Sequence, residues 1–164
     1  RLPTCAGAAN DGRHALMKLS PNFTLSELTR TSSGLYNGPT STEINALTAL
    51  CTTLLEPVRN RFGPVSIHSG YRGPAVNAAI GGSKTSQHMR GEAADFHCPG
   101  ATLETVMRWI VIESNMHYGQ VILEGHTAGE PTWIHLSLGT PWRLGSACMQ
   151  ALTFDGKAYH PYKA

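Results

Sequence analysis

The sequence has few charged residues, no long apolar run and no closely paired cysteines. Charged residues make up 15% of the 164 positions, well below the roughly 25% that is usual in soluble domains. No apolar run reaches the roughly 18 residues that a membrane-spanning helix needs, because Arg108 interrupts the longest one, near residues 106–112. The composition therefore argues against a membrane span.

The charge balance argues against a nucleic-acid partner. Thirteen Lys and Arg stand against eleven Asp and Glu, which gives a formal net charge of +2. Nucleic-acid-binding domains usually show clustered basic residues and a high positive charge. The eight histidines are numerous beside the eleven acidic residues, and they direct attention to metal binding or acid–base chemistry.

The four cysteines are Cys5, Cys51, Cys98 and Cys148. None forms a CxxC pair, which argues against a structural zinc ribbon, and four cysteines allow three disulfide pairings. A bond between Cys5 and Cys148 would join the two ends of the chain, whereas Cys51 fits a small buried hydrophobe. The pairing stays open. No cysteine stands beside a histidine at a predicted helix start, so a thiol enzyme is disfavoured.

Two long helices are predicted from capping residues and apolar periodicity. A capping box at Thr40 starts the first helix, and Gly63 ends it. Its apolar stripe consists of Ile44, Leu47, Cys51, Leu54 and Val58. The second helix is expected over residues 102–115.

Four short segments have the composition of strands: residues 65–69, 93–97, 121–124 and 133–138. Helices and strands mix without a regular βαβ alternation. This mixture predicts an α+β fold with a small, mostly antiparallel sheet and helices packed on one side. The length predicts a single domain over residues 1–164. We expect residues 1–22 to form an irregular amino-terminal arm and residues 140–164 an irregular carboxy-terminal cover.

Strand alternation places three reactive side chains on one face of this sheet, because successive side chains of a strand point to opposite faces. The residues expected to face the core are Ala94, Phe96, Val121, Leu123, Ile134 and Leu136. The opposite face then receives Asp95, Glu124 and His135. His88 reaches the same face from the preceding loop.

Two imidazoles and one carboxylate suit a catalytic zinc ion, because three protein ligands leave a fourth position for water. His88, Asp95 and His135 are the candidate ligands. Glu124 is a candidate base for a water molecule whose pKa zinc lowers to about 7. Each residue also has an ordinary interpretation, His135 as a structural strand histidine and Glu124 as a charge on an edge strand.

Several short motifs stand in order along most of the chain. They are Ser69-Gly70-Tyr71-Arg72, Asn77 with Gly81-Gly82-Ser83, Ser86-Gln87-His88 with Gly91, Ala94 and Asp95, and Trp133-Ile134-His135-Leu136-Ser137. Together they resemble the zinc D-Ala-D-Ala carboxypeptidase family, which includes bacterial D,D-carboxypeptidases, vancomycin-resistance D,D-dipeptidases and phage endolysins. The resemblance covers about residues 22–155 and is greatest to the phage-type branch.

The resemblance implies a hedgehog/D,D-peptidase-like fold with Zn²⁺ as cofactor and His88, Asp95 and His135 as its ligands. It also implies that Arg72 contacts the substrate carboxylate or the carbonyl under attack, for which a planar guanidinium is suited. A structural salt bridge is the alternative for Arg72.

The substrate-binding assignments also follow from the resemblance. Ser86 and Gln87 belong to the loop that carries the first ligand and are expected to position the peptide, although Ser86 also fits a plain turn residue. Trp133 stands where some relatives carry a second histidine, and we assign it to substrate binding.

The general base departs from the family pattern. Several relatives carry an acidic residue three positions before the last ligand, where this sequence has Thr132, which is a poor proton acceptor at neutral pH. The hedgehog domain instead carries its acidic residue on the preceding strand, and Leu123-Glu124 looks similar. We therefore assign the base to Glu124, with Glu130 as the second choice.

The resulting expectation is a zinc metallopeptidase that hydrolyses peptide bonds of bacterial peptidoglycan, as a D,D-carboxypeptidase or an endopeptidase. Its partners would be peptidoglycan stem peptides, and we expect a monomer. It would be secreted or act on the cell wall or in the periplasm, and a phage protein released at lysis belongs to the same group. The alternative is a non-catalytic, zinc-stabilised binding module of the hedgehog type. The sequence leaves the bond that is cut open.

Overall fold

The computed structural model describes residues 17–127, 130–139 and 149–164. The strands are β1 (Ser66–Ser69), β2 (Ala93–His97), β3 (Tyr118–Thr127), β4 (Glu130–Leu138), β5 (Gln150–Phe154) and β6 (Tyr159–Pro161). They form one sheet in the order β1-β2-β4-β3-β5-β6. Only the pairing of β3 with β5 is parallel among these strands. The predicted α+β fold with a mostly antiparallel sheet is confirmed.

The helices precede or interrupt the strands. They are α1 (Leu25–Thr29), α2 (Ser41–Leu50), α3 (Glu56–Phe62), α4 (Pro74–Ala79), a 3₁₀ helix (Gln87–Arg90) and α5 (Leu103–Arg108). A π-helical turn, Cys51–Leu55, joins α2 to α3, and a second one, Trp109–Glu113, extends α5. None of these helices is long and apolar enough to cross a membrane.

The first long helix begins and ends where the sequence predicts. The backbone N–H of Thr40 donates to Glu43 Oε2 at 2.7 Å, as a capping box requires. Gly63, at φ +82°, ends α3 in a conformation that glycine adopts without strain. The π-helical turn lies just before Pro57, a residue that supplies no N–H to the helix and crowds the preceding turn.

The second long helix also matches its prediction. The Thr102 hydroxyl oxygen accepts a hydrogen bond from the backbone N–H of Thr105 at 3.1 Å and thereby caps α5. Val106, Met107 and Ile110 are buried. Because α5 contacts β3 and β4, this apolar stripe closes the core on one side of the sheet.

The two faces of the sheet differ as strand alternation predicts. The core receives Ala94, Phe96, Val121, Leu123, Ile134 and Leu136, together with the apolar stripes of the helices. The other face presents Asp95, Glu124 and His135 to a cleft. Burial of one face leaves the polar side chains of the same strands on the opposite face.

The carboxy-terminal segment corrects one expectation. Residues 140–164 were predicted to be an irregular cover, but β5 and β6 lie within 149–164. The strand β5 pairs in parallel with β3, so that Ile122 lies opposite Leu152, and β6 completes a hairpin with β5. Residues 140–148 lie outside the described part of the chain.

The amino-terminal arm is partly packed onto the domain. Residues 1–16 lie outside the described part, whereas Leu19 and Ser20 are buried. The buried carboxylate of Glu56 accepts hydrogen bonds from the Ser20 hydroxyl at 2.7 Å and from the backbone and side chain of Asn22, both at 2.8 Å. The end of the predicted arm, at Ser20 and Asn22, is therefore tied to helix α3.

Two of the four cysteines can be placed. Cys51 and Cys98 are buried free thiols. Burial raises the pKa of Cys51 to about 12 and that of Cys98 to about 11, so neither is a nucleophile near neutral pH. Cys5 and Cys148 lie outside the described residues, so their pairing stays open.

Candidate metal centre and its cleft

Two of the three predicted ligands are opposite residues on neighbouring strands. Asp95 on β2 pairs directly with His135 on β4 in the antiparallel ladder. Direct cross-strand partners point to the same face with their Cβ atoms about 5 Å apart. The sheet register therefore brings this carboxylate and this imidazole together, although 40 residues separate them in sequence.

The third predicted ligand, His88, comes from the 3₁₀ helix before β2. Gly91 ends this helix at φ +67°, and a Cβ atom there would lie 2.6 Å from the backbone oxygen of Glu43. Only glycine fits that close approach without displacing the backbone. The tight turn directs the chain into β2 and leaves the buried His88 ring facing Asp95.

Hydrogen bonds set which nitrogen of each imidazole faces the centre. His88 Nδ1 lies 2.7 Å from the carbonyl oxygen of Gly70, and His135 Nε2 lies 3.0 Å from Gln87 Oε1. Both oxygens are acceptors, so these ring nitrogens donate. The lone pairs of His88 Nε2 and His135 Nδ1 therefore point inward, an arrangement typical of metal-binding histidines.

The three inward-facing atoms have the spacing of zinc ligands. Asp95 Oδ1 lies 2.9 Å from His135 Nδ1 and 3.2 Å from His88 Nε2, and the two nitrogens are 3.2 Å apart. Ligands about 2.0–2.1 Å from a tetrahedral ion lie about 3.3 Å from one another. Three electron pairs that converge this closely repel one another unless a cation lies among them, so the residues fit Zn²⁺.

A second histidine pair lacks this geometry. His68 Nε2 and His97 Nδ1 are 2.7 Å apart with ring centroids at 4.8 Å. In the pair of proposed ligands, His88 Nε2 and His135 Nδ1 are 3.2 Å apart, which is a longer distance, although the ring centroids are only 5.0 Å apart. The ring nitrogens of His68 and His97 thus point at each other at hydrogen-bond distance, whereas those of His88 and His135 point at a common third position.

The electrostatics of the centre keep the ligands in their metal-binding forms. Burial disfavours protonated His88 and lowers its pKa, although Asp95 opposes this shift. Burial alone would raise the pKa of Asp95, but His88 and His135 outweigh it and hold that pKa well below its usual range. A neutral imidazole and an ionised carboxylate are the forms that bind metal.

Arg72 lies beside the centre, and only part of its guanidinium interacts with Asp95. Its Nη2 is 3.6 Å from Asp95 Oδ2, and its backbone N–H donates to the carbonyl oxygen of His88 at 3.1 Å. Its Nε is buried and has no hydrogen-bond partner among the described residues. Burial lowers the pKa of Arg72, while Asp95 and Glu124 oppose that shift. Arg72 lines the cleft, so the rest of its guanidinium can reach a ligand there, whereas the buried Nε cannot.

A cleft of about 490 Å³ opens above the three predicted ligands. Its walls include the remaining residues assigned from the sequence: Arg72, Ser86, Gln87, Glu124 and Trp133. Gln87 also contacts His135, so it lies between the metal centre and the cleft. The substrate-binding roles of Ser86, Gln87 and Trp133 stay predictions.

Glu124 occupies the face and the strand position that a general base would need. It is opposite Trp133 in the ladder between β3 and β4, while His135 is opposite Ile122. Glu124 and His135 are thus diagonal neighbours on one face, at a typical Cβ separation of about 7 Å. Its carboxylate accepts a hydrogen bond from Tyr159 Oη at 3.2 Å.

Glu130 is a poorer candidate for the base because of its position on β4. It pairs with Thr127 at the start of that strand. Five residues separate it from His135, a distance of about 17 Å along a strand. The side chain of Glu130 lies outside the described part of the structure.

Comparison with known proteins agrees with this geometry. The sequence profile of the peptidase M15 family matches residues 21–137, a stretch that contains His88, Asp95 and His135. The chain belongs to the peptidase M15 family. It is also 36% identical, over 77 residues, to the zinc D-Ala-D-Ala carboxypeptidase of Streptomyces albus G. That match covers 45% of this chain and 30% of the relative, so the chain matches under a third of the relative's length.

The family assignment and the His-Asp-His centre together support a zinc peptidase. The predicted resemblance is confirmed, and Zn²⁺ fits the site. The catalytic and substrate-binding roles of individual residues in this M15 family member stay predictions.

Sequence reasoning missed two residues of the M15 cleft, Leu152 and Tyr159. Both belong to the hairpin of β5 and β6. The dipeptide Asp155-Gly156 between two short β-prone segments is a hairpin signal and would have revealed it.

Proposed function

We propose that this chain is a zinc-dependent peptidase that hydrolyses peptide bonds of bacterial peptidoglycan, as a D,D-carboxypeptidase or an endopeptidase. The observation that supports this most is the convergence of three lone pairs, from His88, Asp95 and His135, at the base of a cleft. Glu124 and Arg72 line the same cleft. A catalytic zinc site has three protein ligands and an adjacent open cavity.

The three residues would hold the ion, and the remaining chemistry belongs to the chain. Zinc, when bound, supplies a Lewis acid that polarises the peptide carbonyl and makes water more acidic. Gln87 and the carbonyl of Gly70 hold the two imidazoles in the tautomers that bind metal. The buried Asp95 contributes the negative charge that favours a divalent cation.

Glu124 would transfer the protons of the reaction. As an ionised carboxylate it accepts a proton from the attacking water molecule and then gives that proton to the amine that leaves. Its place on the cleft face of β3 supports this role, because Glu124 lines the cleft on the same face of the sheet as His135.

Arg72 would recognise negative charge on the substrate. The part of its guanidinium that lines the cleft suits either a peptide carboxylate or the oxyanion that develops at the carbonyl. Ser86, Gln87 and Trp133 would position the peptide along the wall of the cleft. A short, anionic and flexible stem peptide with D-amino acids matches a cleft of this size and charge.

The similarity to the zinc D-Ala-D-Ala carboxypeptidase of Streptomyces also supports a substrate that contains D-Ala-D-Ala. Such a substrate implies action outside the cytoplasm, on the cell wall or in the periplasm, or release at phage lysis. We expect a monomer.

Mass spectrometry of muropeptides tests the proposal. Purified peptidoglycan is incubated with the zinc-loaded protein, with and without a chelator, and new termini are identified by mass. We expect products that disappear with the chelator and with His88→Ala. A folded, zinc-loaded protein that releases no peptide or amino group would favour the non-catalytic binding module instead.

A further inference from the structure

One tyrosine of the carboxy-terminal hairpin contacts the carboxylate of Glu124. Tyr159 Oη donates to Glu124 Oε1 at 3.2 Å, and both side chains line the cleft. Tyr159 lies on β6, at the edge of the sheet, 35 residues after Glu124. The contact exists only because β5 pairs with β3 and brings β6 beside the site.

The hairpin holds the tyrosine ring in place. Phe154 is the cross-strand partner of Tyr159, and their ring centroids are 4.7 Å apart. The turn between them is closed by Asp155, whose Oδ1 accepts from the backbone N–H groups of Lys157 and Ala158, both at 2.8 Å. Tyr159 is exposed at the sheet edge, and two strands, a ring contact and a capped turn support its phenol group beside Glu124.

We infer that Tyr159 is a positioning residue that orients the carboxylate of Glu124 for proton transfer in the proposed peptidase reaction. The inference rests on the proposed function. A glutamate side chain has three rotatable bonds, and small misplacements of a catalytic group can cost about 10²-fold in rate. The phenol engages Oε1, and no hydrogen bond from the described residues engages Oε2, the oxygen that would face water or substrate.

A neutral donor suits this task better than a cation would. A hydrogen bond from Tyr159 holds one oxygen of Glu124 without adding positive charge. A lysine or arginine in direct contact would make the carboxylate a weaker base, because an adjacent positive charge favours the ionised form more than a neutral donor does. Arg72 makes its ion pair with Asp95 and interacts with Glu124 only at longer range.

The chain supplies a matched control at the end of the same hairpin. Tyr162 Oη also donates to a glutamate, Glu104, which lies on α5. Those two residues line a separate cavity away from the metal centre. Tyr162→Phe removes the same kind of phenol–carboxylate contact from the same segment without touching the proposed site.

The test compares zinc-loaded wild type with Tyr159→Phe, Tyr162→Phe, Glu124→Gln and the Tyr159→Phe/Glu124→Gln double variant. The substrate is a muramidase digest of peptidoglycan, and initial rates of amino-group release give kcat and KM. We expect Tyr159→Phe to lower kcat about tenfold, with KM, zinc content and Tm unchanged. Tyr162→Phe should match wild type, and the double variant should be no slower than Glu124→Gln.

The other outcomes overturn the inference in distinguishable ways. If the wild type is active and the Glu124→Gln variant is inactive, a fully active Tyr159→Phe variant would overturn the positioning role alone. A raised KM at constant kcat would make Tyr159 a substrate contact instead. An equal loss in Tyr162→Phe, or a lowered Tm in Tyr159→Phe, would make its role structural. A wild type without turnover would overturn the proposed function and this inference together.

Discussion

Asp95 and His135 are opposite residues in the ladder between β2 and β4, and Asp95 Oδ1 lies 2.9 Å from His135 Nδ1. Two strands far apart in sequence thus supply adjacent donor atoms from rigid backbone positions. His88 completes the set from a short helix that Gly91 ends. A site built on a sheet register needs little reorganisation to accept a cation.

Gln87 should control zinc affinity without being a ligand. It accepts the hydrogen bond that keeps the His135 Nδ1 lone pair facing the centre. We expect Gln87→Ala to weaken zinc binding about 10–100-fold, the usual effect of losing such a partner. Competition with a chromophoric chelator measures the change, and Ser86→Ala is the control from the same loop. Unchanged affinity in Gln87→Ala would show that His135 is oriented by other contacts.

Glu124 should be needed for turnover but not for zinc. Glu124→Gln preserves the shape of the side chain and removes its basicity, so we expect a full equivalent of zinc and a loss of kcat of about 10²–10⁴-fold. Metal analysis and amine release measure the two quantities. Glu113→Gln, which removes the same charge at the exposed end of the helical segment after α5, should retain wild-type rates. Full activity in Glu124→Gln would remove this residue from the mechanism.

Turnover should depend on the guanidinium group of Arg72 and not only on its positive charge. Lysine keeps a positive charge but lacks the planar fork of donors that suits a carboxylate or an oxyanion. We expect Arg72→Lys to lower kcat/KM about 10²-fold, whereas Arg61→Lys, on an exposed arginine over the Phe62 ring, changes nothing. Steady-state kinetics decide between these outcomes. An Arg72→Lys variant with wild-type kcat/KM would reduce Arg72 to a structural role.

Glu56 should make the fold sensitive to acid. Burial alone would raise the pKa of Glu56, but hydrogen bonds from Ser20 and Asn22 lower it below its ordinary value. Because the folded-state pKa is lower than the unfolded one, the stabilisation is present above about pH 4.5. It is lost as the pH falls through the folded-state value.

Removal of the Glu56 side chain measures this contribution. We expect Glu56→Ala to lower the free energy of unfolding by about 2 kcal/mol at pH 7, because it leaves charged-group hydrogen bonds unmade. Urea denaturation should show a smaller difference between the two proteins in acid. An equal difference at both pH values would mean that packing, and not the ionised carboxylate, carries the effect.

Most of the local structure and the chemistry of the centre followed from the sequence. The helix that begins after Thr40 and the one that begins after Thr102 depend on capping and on apolar spacing, which are properties of neighbouring residues. Strand alternation is equally local, since its period of two assigns Asp95, Glu124 and His135 to one face without knowledge of the strand order. The motifs around His88 then identified the family.

The tertiary structure alone decided which strands are neighbours and in what register. The pairing of Asp95 with His135, and the parallel pairing that brings Leu152 beside Ile122, join residues that no local pattern connects. Parallel pairing requires a long connection, so its partners cannot be read from a hairpin turn. For that reason the sequence by itself determined the zinc-binding residue types and their shared face, whereas the fold alone brought Tyr159 into contact with Glu124.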